Sequence, residues 1–399
     1  MVDNEGFRVI GSSTKSMINE TTLKDGTSTQ DEYRLHLNYK DYSAESANSN
    51  KSLPVCSLPT SFGNKSLKEE SKLFFTSVKD KSELWEKHDF HFSMRYTNRW
   101  QEYCSENNYG DAEKVWEDAL NISEEWESEN KGHYIHKGTL FYFWAVTCFF
   151  KDDIEKAFML MNQAYIEDLK TRDKLNRLEP INELPAGLFL FFNDKSDNQF
   201  FKYKLDEIKK FIGELINNYS SQRNRNFKYE DFENKFLRNN SIDTEIKFNF
   251  NLCIFKYKKL IKKSFFSGEN TVTTNIYLDL FFQLGKVLDL LINKYGNGFD
   301  DSIKSFIMKY NPNSTIDKLN LKKQHTFQLD FLKNIENIQF SIDGYVFNIC
   351  LETDILLSFG FRNLGAHTIL TNRFIVENFK ELFQRIINSI FLAIEIYSS

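Results

Sequence analysis

The sequence predicts an all-α protein, and two features support this. Its 399 residues contain only 5 prolines but 39 phenylalanines, which suits long helices packed through aromatic faces because proline breaks helix interiors. From about residue 66 onward, apolar residues recur at helical spacing. The first such run contains Leu73, Phe74, Phe75, Val78, Leu84 and Trp85. Strand-like patterns are confined to short pieces at 7–10, 33–39 and 338–342.

Residues 1–65 are predicted to form a polar, partly flexible segment ahead of the helices. They are rich in Ser, Thr, Asn and Lys, and SAESANSNK at 43–51 has the composition of a flexible loop. Two helical domains are predicted to follow, over 66–235 and 236–399. Within the first, Pro180 and Pro185 mark a boundary or a sharp turn.

The N-terminal helical domain contains two related segments. NYGDAEKVWEDAL at 108–120 and KDDIEKAFMLMNQAY at 151–165 each carry two alanines seven residues apart. These are Ala112 and Ala119 in the first segment, and Ala157 and Ala164 in the second. The pattern resembles the second helix of a tetratricopeptide repeat, in which small residues lie where paired helices touch.

The residues upstream of the second segment extend this resemblance. Gly138, Phe141, Trp144, Ala145 and Cys148 fall on first-helix positions, whereas Trp100 occupies the small position before the first segment. The offset from Ala112 to Ala157 is 157 − 112 = 45 residues, against a period of about 34 in the family. The resemblance implies degenerate helical hairpins that hold a protein partner. A generic antiparallel helix pair is the alternative, since small residues are common at close helix contacts.

The C-terminal domain is predicted to be a helical bundle. Its helices lie at 244–266, 273–295, 300–309, 346–359 and 372–397. The stretch 310–338 has no clear apolar periodicity and resembles a loop.

Cysteine usage and hydropathy point to the cytoplasm. The 5 cysteines lie far apart with no C-x-x-C pair, which excludes a disulfide scaffold and argues against a zinc knuckle. The N-terminus lacks the plan of a signal peptide. The longest uncharged run, at 138–150, is too short to cross a bilayer. We therefore expect a cytoplasmic protein with no membrane association.

The charge is distributed unevenly. Residues 1–200 sum to −10 and residues 201–399 to +5, which together give the net charge of −5. Different partners are expected for the two halves, and a polyanion such as RNA would bind the basic half.

Common catalytic motifs are missing from the sequence. It contains no phosphate-binding Walker loop, G-x-G-x-x-G, H-E-x-x-H or G-x-S-x-G. Two histidine pairs, His88 with His91 and His133 with His136, have the i, i+3 spacing that could chelate a metal on a helix. Because the pattern fixes no third carboxylate or cysteine ligand beside either pair, we predict neither a metal nor a cofactor.

The strongest catalytic candidate is FGFRNLGAHTIL at 359–370. Four residues separate Arg362 from His367, and the polar Asn363 follows the arginine. The motif lies between an apolar helix and a long amphipathic C-terminal helix, with a further helix pair upstream. Motif and helix order resemble the HEPN-domain ribonucleases, with their R-x(4–6)-H signature. A regular helix places residues i and i+5 about 140° apart, and we expect Gly365 to loosen this geometry.

The resemblance implies a metal-independent endoribonuclease. Two copies would pair through the C-terminal bundle, bringing two arginines and two histidines to one cleft. His367 would act as acid or base, Arg362 would stabilise the phosphate charge, and Asn363 would orient either group. The product would be a 2′,3′-cyclic phosphate, and toxins or antiviral defence effectors are common in the family. For the homodimer contact, the last helix offers Ile375, Phe379, Leu382, Phe383 and Ile386.

A lysine-rich stretch supplies the RNA-binding candidates. These are Lys256, Lys258, Lys259, Lys262 and Lys263, interleaved with Phe255, Tyr257, Phe265 and Phe266. Aromatic side chains between cations can stack on bases. The alternative is a solvated lysine face whose aromatic neighbours lie in the core.

Two other functions fit the same residues. The first is a non-catalytic scaffold that binds a protein through its helical repeats and dimerises through its C-terminal bundle. In such a scaffold, Arg362 would cap a helix or pair with Glu352 or Asp354, and His367 would be packed and inert. The second is a regulator that binds nucleotides in the same cleft.

Overall fold

The structure is a computed structural model that divides into two compact units, Met1–Leu205 and Asp206–Ser399. The described residues are 7–9, 16–22, 28–34, 38–40, 68–69, 71–72, 89–174, 184–192, 199–262, 271–295, 302–314, 340–342, 345–347, 350–367 and 372–397. Most of them are helical, which confirms the predicted all-α class. Most of the patternless stretch, from 315 to 338, and most of residues 1–65 lie outside them.

The strands form short antiparallel hairpins. β1 (Phe7–Val9) pairs with β4 (Asn38–Lys40), and β2 (Ser16–Thr22) pairs with β3 (Ser28–Arg34). In the second unit, β5 (Phe340–Ile342) pairs with β6 (Tyr345–Phe347). The strand expected near 338–342 is therefore present.

The helices of the first unit pack in sequence order, each on the next. They are α1 (Asp89–Ser105), α2 (Tyr109–Glu129), α3 (Gly138–Phe150), α4 (Ile154–Lys174) and α5 (Pro185–Leu190). The four alanines of the repeat-like segments are all buried on α2 and α4. Small residues thus lie at helix contacts, as either interpretation of the pattern requires.

A buried carboxylate links three of these elements. Glu113 on α2 accepts hydrogen bonds from Lys151 and Lys156, and from Trp144 Nε1 at 3.1 Å. Burial alone would raise the pKa of Glu113, but these hydrogen bonds hold it at about 2. The carboxylate is therefore ionised at neutral pH and ties α2 to α3 and α4.

The second unit is a helical bundle centred on one long helix. Its helices are α6 (Gln199–Arg223), which begins at the end of the first unit, α7 (Tyr229–Phe232) with a π-helical turn (Glu233–Leu237), α8 (Thr244–Lys262), α9 (Thr271–Tyr295), α10 (Ser302–Tyr310), α11 (Leu351–His367), α12 (Arg373–Glu377) and α13 (Phe379–Tyr397). The central helix α9 packs against α8, α10, α11, α12 and α13.

Three sequence expectations change here. The helix expected at 346–359 is α11, displaced toward the C-terminus, and the long helix expected at 372–397 is interrupted at Asn378. The units divide near the start of α6 rather than near residue 236. The reason is that α6 is bonded to the bundle: Tyr219 Oη donates to Glu395 at 2.7 Å, and Arg223 pairs with Asp354.

The predicted homodimer face is already occupied. All five apolar side chains proposed for it are buried within the second unit, none more than 4% exposed. Phe379 stacks on Tyr277 and Phe383 stacks on Tyr257. The assignment of these residues to a dimer contact was wrong, because a strongly amphipathic last helix first buries its apolar face against its own bundle.

Candidate functional site

The candidate site lies on α11, which carries Arg362, Asn363 and His367. This helix is regular through Gly365 to its last residue, so the expected loosening at Gly365 is wrong. Five residues along an α-helix correspond to about 140° of rotation and about 7.5 Å of rise. The backbone therefore sets Arg362 and His367 on different sides of α11. The side chain of His367 lies outside the described residues.

Two glycines allow α9 and α11 to approach closely at this position. A Cβ on Gly365 would lie 2.6 Å from Phe282 Cβ and 3.1 Å from Leu278 O. A Cβ on Gly285 would lie 2.6 Å from Arg362 Cβ and 3.0 Å from Ser358 O. Because backbone atoms are among the neighbours, neither position has room for a side chain. Gly285 therefore seats the base of the Arg362 side chain against α9.

We expect Gly285→Ala to destabilise the second unit by about 1–3 kcal/mol, the usual range for overpacking. The matched control is Gly213→Ala on α6, where an added Cβ has nothing within 4 Å. There the gain in helix propensity should stabilise the protein by up to about 1 kcal/mol. Urea unfolding measures both variants. Equal shifts in the same direction would contradict the close approach of α9 and α11.

The Arg362 guanidinium is held at two of its nitrogens. Its Nη2 donates to Asp289 Oδ2 on α9 at 2.9 Å, and its Nη1 donates to Asn363 Oδ1 at 3.1 Å. The Arg362 side chain remains 35% exposed, against 18% for Asp289. The arginine is therefore fixed and still reachable from solvent. Sequence reasoning missed Asp289, because nothing in the local pattern connects it with a residue 73 positions away.

Asn363 is a buried amide with one unused group. It is 8% exposed, and its Nδ2 has no hydrogen-bond partner among the described residues. Since a guanidinium only donates, the amide oxygen faces Arg362 and the NH2 group is turned away from it. Asn363 and His367 are four residues apart, so the helix places both positions on the same side.

The two acidic residues that the scaffold hypothesis pairs with Arg362 bind other side chains. Glu352 Oε1 accepts from Asn311 Nδ2 at 2.5 Å. Asp354 is fully buried and pairs with Arg223 at 2.8 Å and with Arg385 at 2.7 Å. Pairing of Arg362 with either acid was therefore a wrong expectation.

The described part of the lysine-rich stretch is largely tied to its own unit. Lys256 Nζ donates to Gln283 Oε1 at 3.1 Å, and Lys258 Nζ pairs with Glu207 Oε1 at 2.5 Å. Phe255 and Tyr257 are buried in the core, so stacking of bases on these two residues was a wrong interpretation. Lys259 is partly exposed. The side chain of Lys262, and all of Lys263, Phe265 and Phe266, lie outside the described residues.

The histidine pairs do not have the expected geometry where they are described. His133 and His136 lie in the non-helical link between α2 and α3. His133 is exposed, whereas His136 is buried with its Nδ1 3.0 Å from Thr171 Oγ1. His88 and the side chain of His91 lie outside the described residues. Within the part of the chain that is described, no group of three or more His, Cys, Asp or Glu is arranged to hold a metal.

Comparisons with known proteins found no family or relative for this chain. The chain matches none of the family models, and the comparisons with curated proteins and with solved structures returned no match. In the described ranges, none of the helices combines the length and apolar character needed to cross a bilayer.

Proposed function

We propose that this protein is a HEPN-type, metal-independent endoribonuclease that cleaves RNA to a 2′,3′-cyclic phosphate. The observation that carries the proposal is the state of Arg362: it is fixed by two hydrogen bonds yet 35% exposed. It adjoins a buried amide and precedes His367 by five residues. An arginine held in this way can meet a phosphate without first losing side-chain freedom.

The chemistry requires only groups that this motif and RNA supply. The ribose 2′-OH attacks the adjacent phosphorus, while a histidine takes its proton. The bond from phosphorus to the 5′-oxygen breaks, and that oxygen receives a proton from a histidine. Arg362 stabilises the negative charge that builds up on the phosphoryl oxygens.

The reaction would use residues from two copies of the chain. Because α11 is regular, Arg362 and His367 of one copy are set about 140° apart. A two-fold arrangement would let the arginine of one copy meet the histidine of the other. We further propose a toxin or antiviral defence role in the cytoplasm, with the acidic N-terminal helices holding a protein partner.

RNA cleavage should persist in excess EDTA, because acid, base and cation all come from side chains. A time course on labelled single-stranded RNA with and without chelator measures this. His367→Ala serves as the control for contaminating nuclease, since it should remove the activity in both conditions. Complete loss of cleavage in EDTA, restored by Mg²⁺ or Mn²⁺, would exclude the proposed mechanism.

A non-catalytic scaffold is the second candidate, and one contact favours it. The 2.9 Å ion pair from Arg362 to Asp289 joins α9 to α11, as a purely structural arginine would. In that case Arg362 would contribute to the stability of the bundle and to no reaction.

A further inference from the structure

We infer that Asp289 is a positioning residue of the proposed site, holding Arg362 and, through it, the amide of Asn363. The inference rests on the proposed function. It starts from a chain of two hydrogen bonds that joins two helices. Asp289 Oδ2 accepts from Arg362 Nη2 at 2.9 Å, and Arg362 Nη1 donates to Asn363 Oδ1 at 3.1 Å.

The first link fixes a long side chain. A free arginine side chain samples many rotamers and loses that freedom when it is ordered. The charge-assisted bond to Asp289 restricts that freedom before any RNA is bound. Asp289 lies on α9 and is 18% exposed, and Gly285 brings α11 close to α9 one turn earlier. Asp289 therefore holds Arg362 from a helix that packs closely on α11.

The second link sets the direction of a donor. Arg362 offers only N–H groups, so its bond to Asn363 forces the amide oxygen toward it. The amide NH2 group then faces the other way, where Nδ2 has no partner among the described residues. A buried donor without a partner is costly in a folded protein unless something binds it. The bond from Arg362 therefore decides which end of the Asn363 amide faces the arginine.

The negative charge of the Asp289 carboxylate also disfavours RNA binding. Asp289 places a negative charge beside the cation that meets the phosphate, which weakens the attraction of Arg362 for a polyanion. Asp289 thus favours the reaction by orienting Arg362 and opposes RNA binding through its charge. Removing the carboxylate should lower kcat, because orientation is lost. It should not raise KM, because repulsion is relieved.

The test is a double-mutant cycle on the full chain, with labelled single-stranded RNA in EDTA. The proteins are wild type, Asp289→Ala, Arg362→Lys and the double variant, with Asp289→Asn as the conservative replacement. If Asp289 acts through Arg362, Asp289→Ala should lower kcat about tenfold in the wild-type background and at most about twofold in the Arg362→Lys background. Asp289→Asn, which keeps an acceptor, should fall between wild type and Asp289→Ala.

A matched control separates positioning from folding. Asp243→Ala also removes a carboxylate paired with α9, through Lys294, and should leave kcat unchanged. An equal loss of kcat in the wild-type and Arg362→Lys backgrounds would make Asp289 merely structural. Unchanged or faster cleavage by Asp289→Ala would also overturn the inference. A wild-type protein that does not cleave RNA would instead overturn the proposed function, and the inference with it.

Discussion

Replacing Arg362 by alanine is expected to lower RNA cleavage by at least about 100-fold, the usual effect of removing one group that stabilises transition-state charge. The fold should survive. The ion pair with Asp289 is partly solvent-exposed, with the arginine side chain at 35% and the aspartate at 18%. Losing such a pair costs about 1 kcal/mol or less. Activity and stability should therefore respond very differently to this change.

Cleavage rate and thermal melting of the same preparations check this expectation. Arg362→Lys keeps the positive charge but loses the planar set of donors, so it should retain an intermediate rate. Arg238→Ala is the control for loss of a positive charge, because its side chain is 52% exposed and paired with Glu233. An Arg362→Ala protein that unfolds, or that cleaves at the wild-type rate, would favour the non-catalytic scaffold.

The largest loss of stability is expected from Asp354→Ala. This side chain is fully buried and accepts hydrogen bonds from Arg223, Arg385 and Asn388. Both arginine side chains are nearly buried, at 8% and 6% exposed. Removing the carboxylate would leave two guanidinium groups without their counter-charge. Breaking a buried ion pair in this way costs about 3–5 kcal/mol.

Urea unfolding of the second unit measures the effect of Asp354→Ala. Glu377→Ala is the matched control, because its carboxylate makes an exposed pair with Arg373 within one helix that is worth about 0.3–0.5 kcal/mol. Similar unfolding midpoints for the two variants would show that Asp354 does not hold α6, α11 and α13 together.

The candidate site could be located from the sequence only in part. The motif itself led to Arg362, Asn363 and His367, because their spacing is local. Their surroundings depend on residues far away in the chain: Asp289 is 73 positions from Arg362. The polar residues of the last helix were a signal that could have been used. Arg385, Asn388 and Ser389 interrupt the apolar residues of 385–394, and buried polar groups require partners.

The sequence by itself determined the helical class and most helix positions, because apolar periodicity and proline scarcity are local properties of the chain. Helix α8 begins at the expected Thr244, and helix α9 ends at the expected Tyr295. Tertiary structure decided which faces are buried. The apolar side of α13 packs on its own bundle, and Tyr257 enters the core rather than a binding surface. The physical reason is that periodicity shows that a face will be buried, whereas only the packed chain shows which residues cover it.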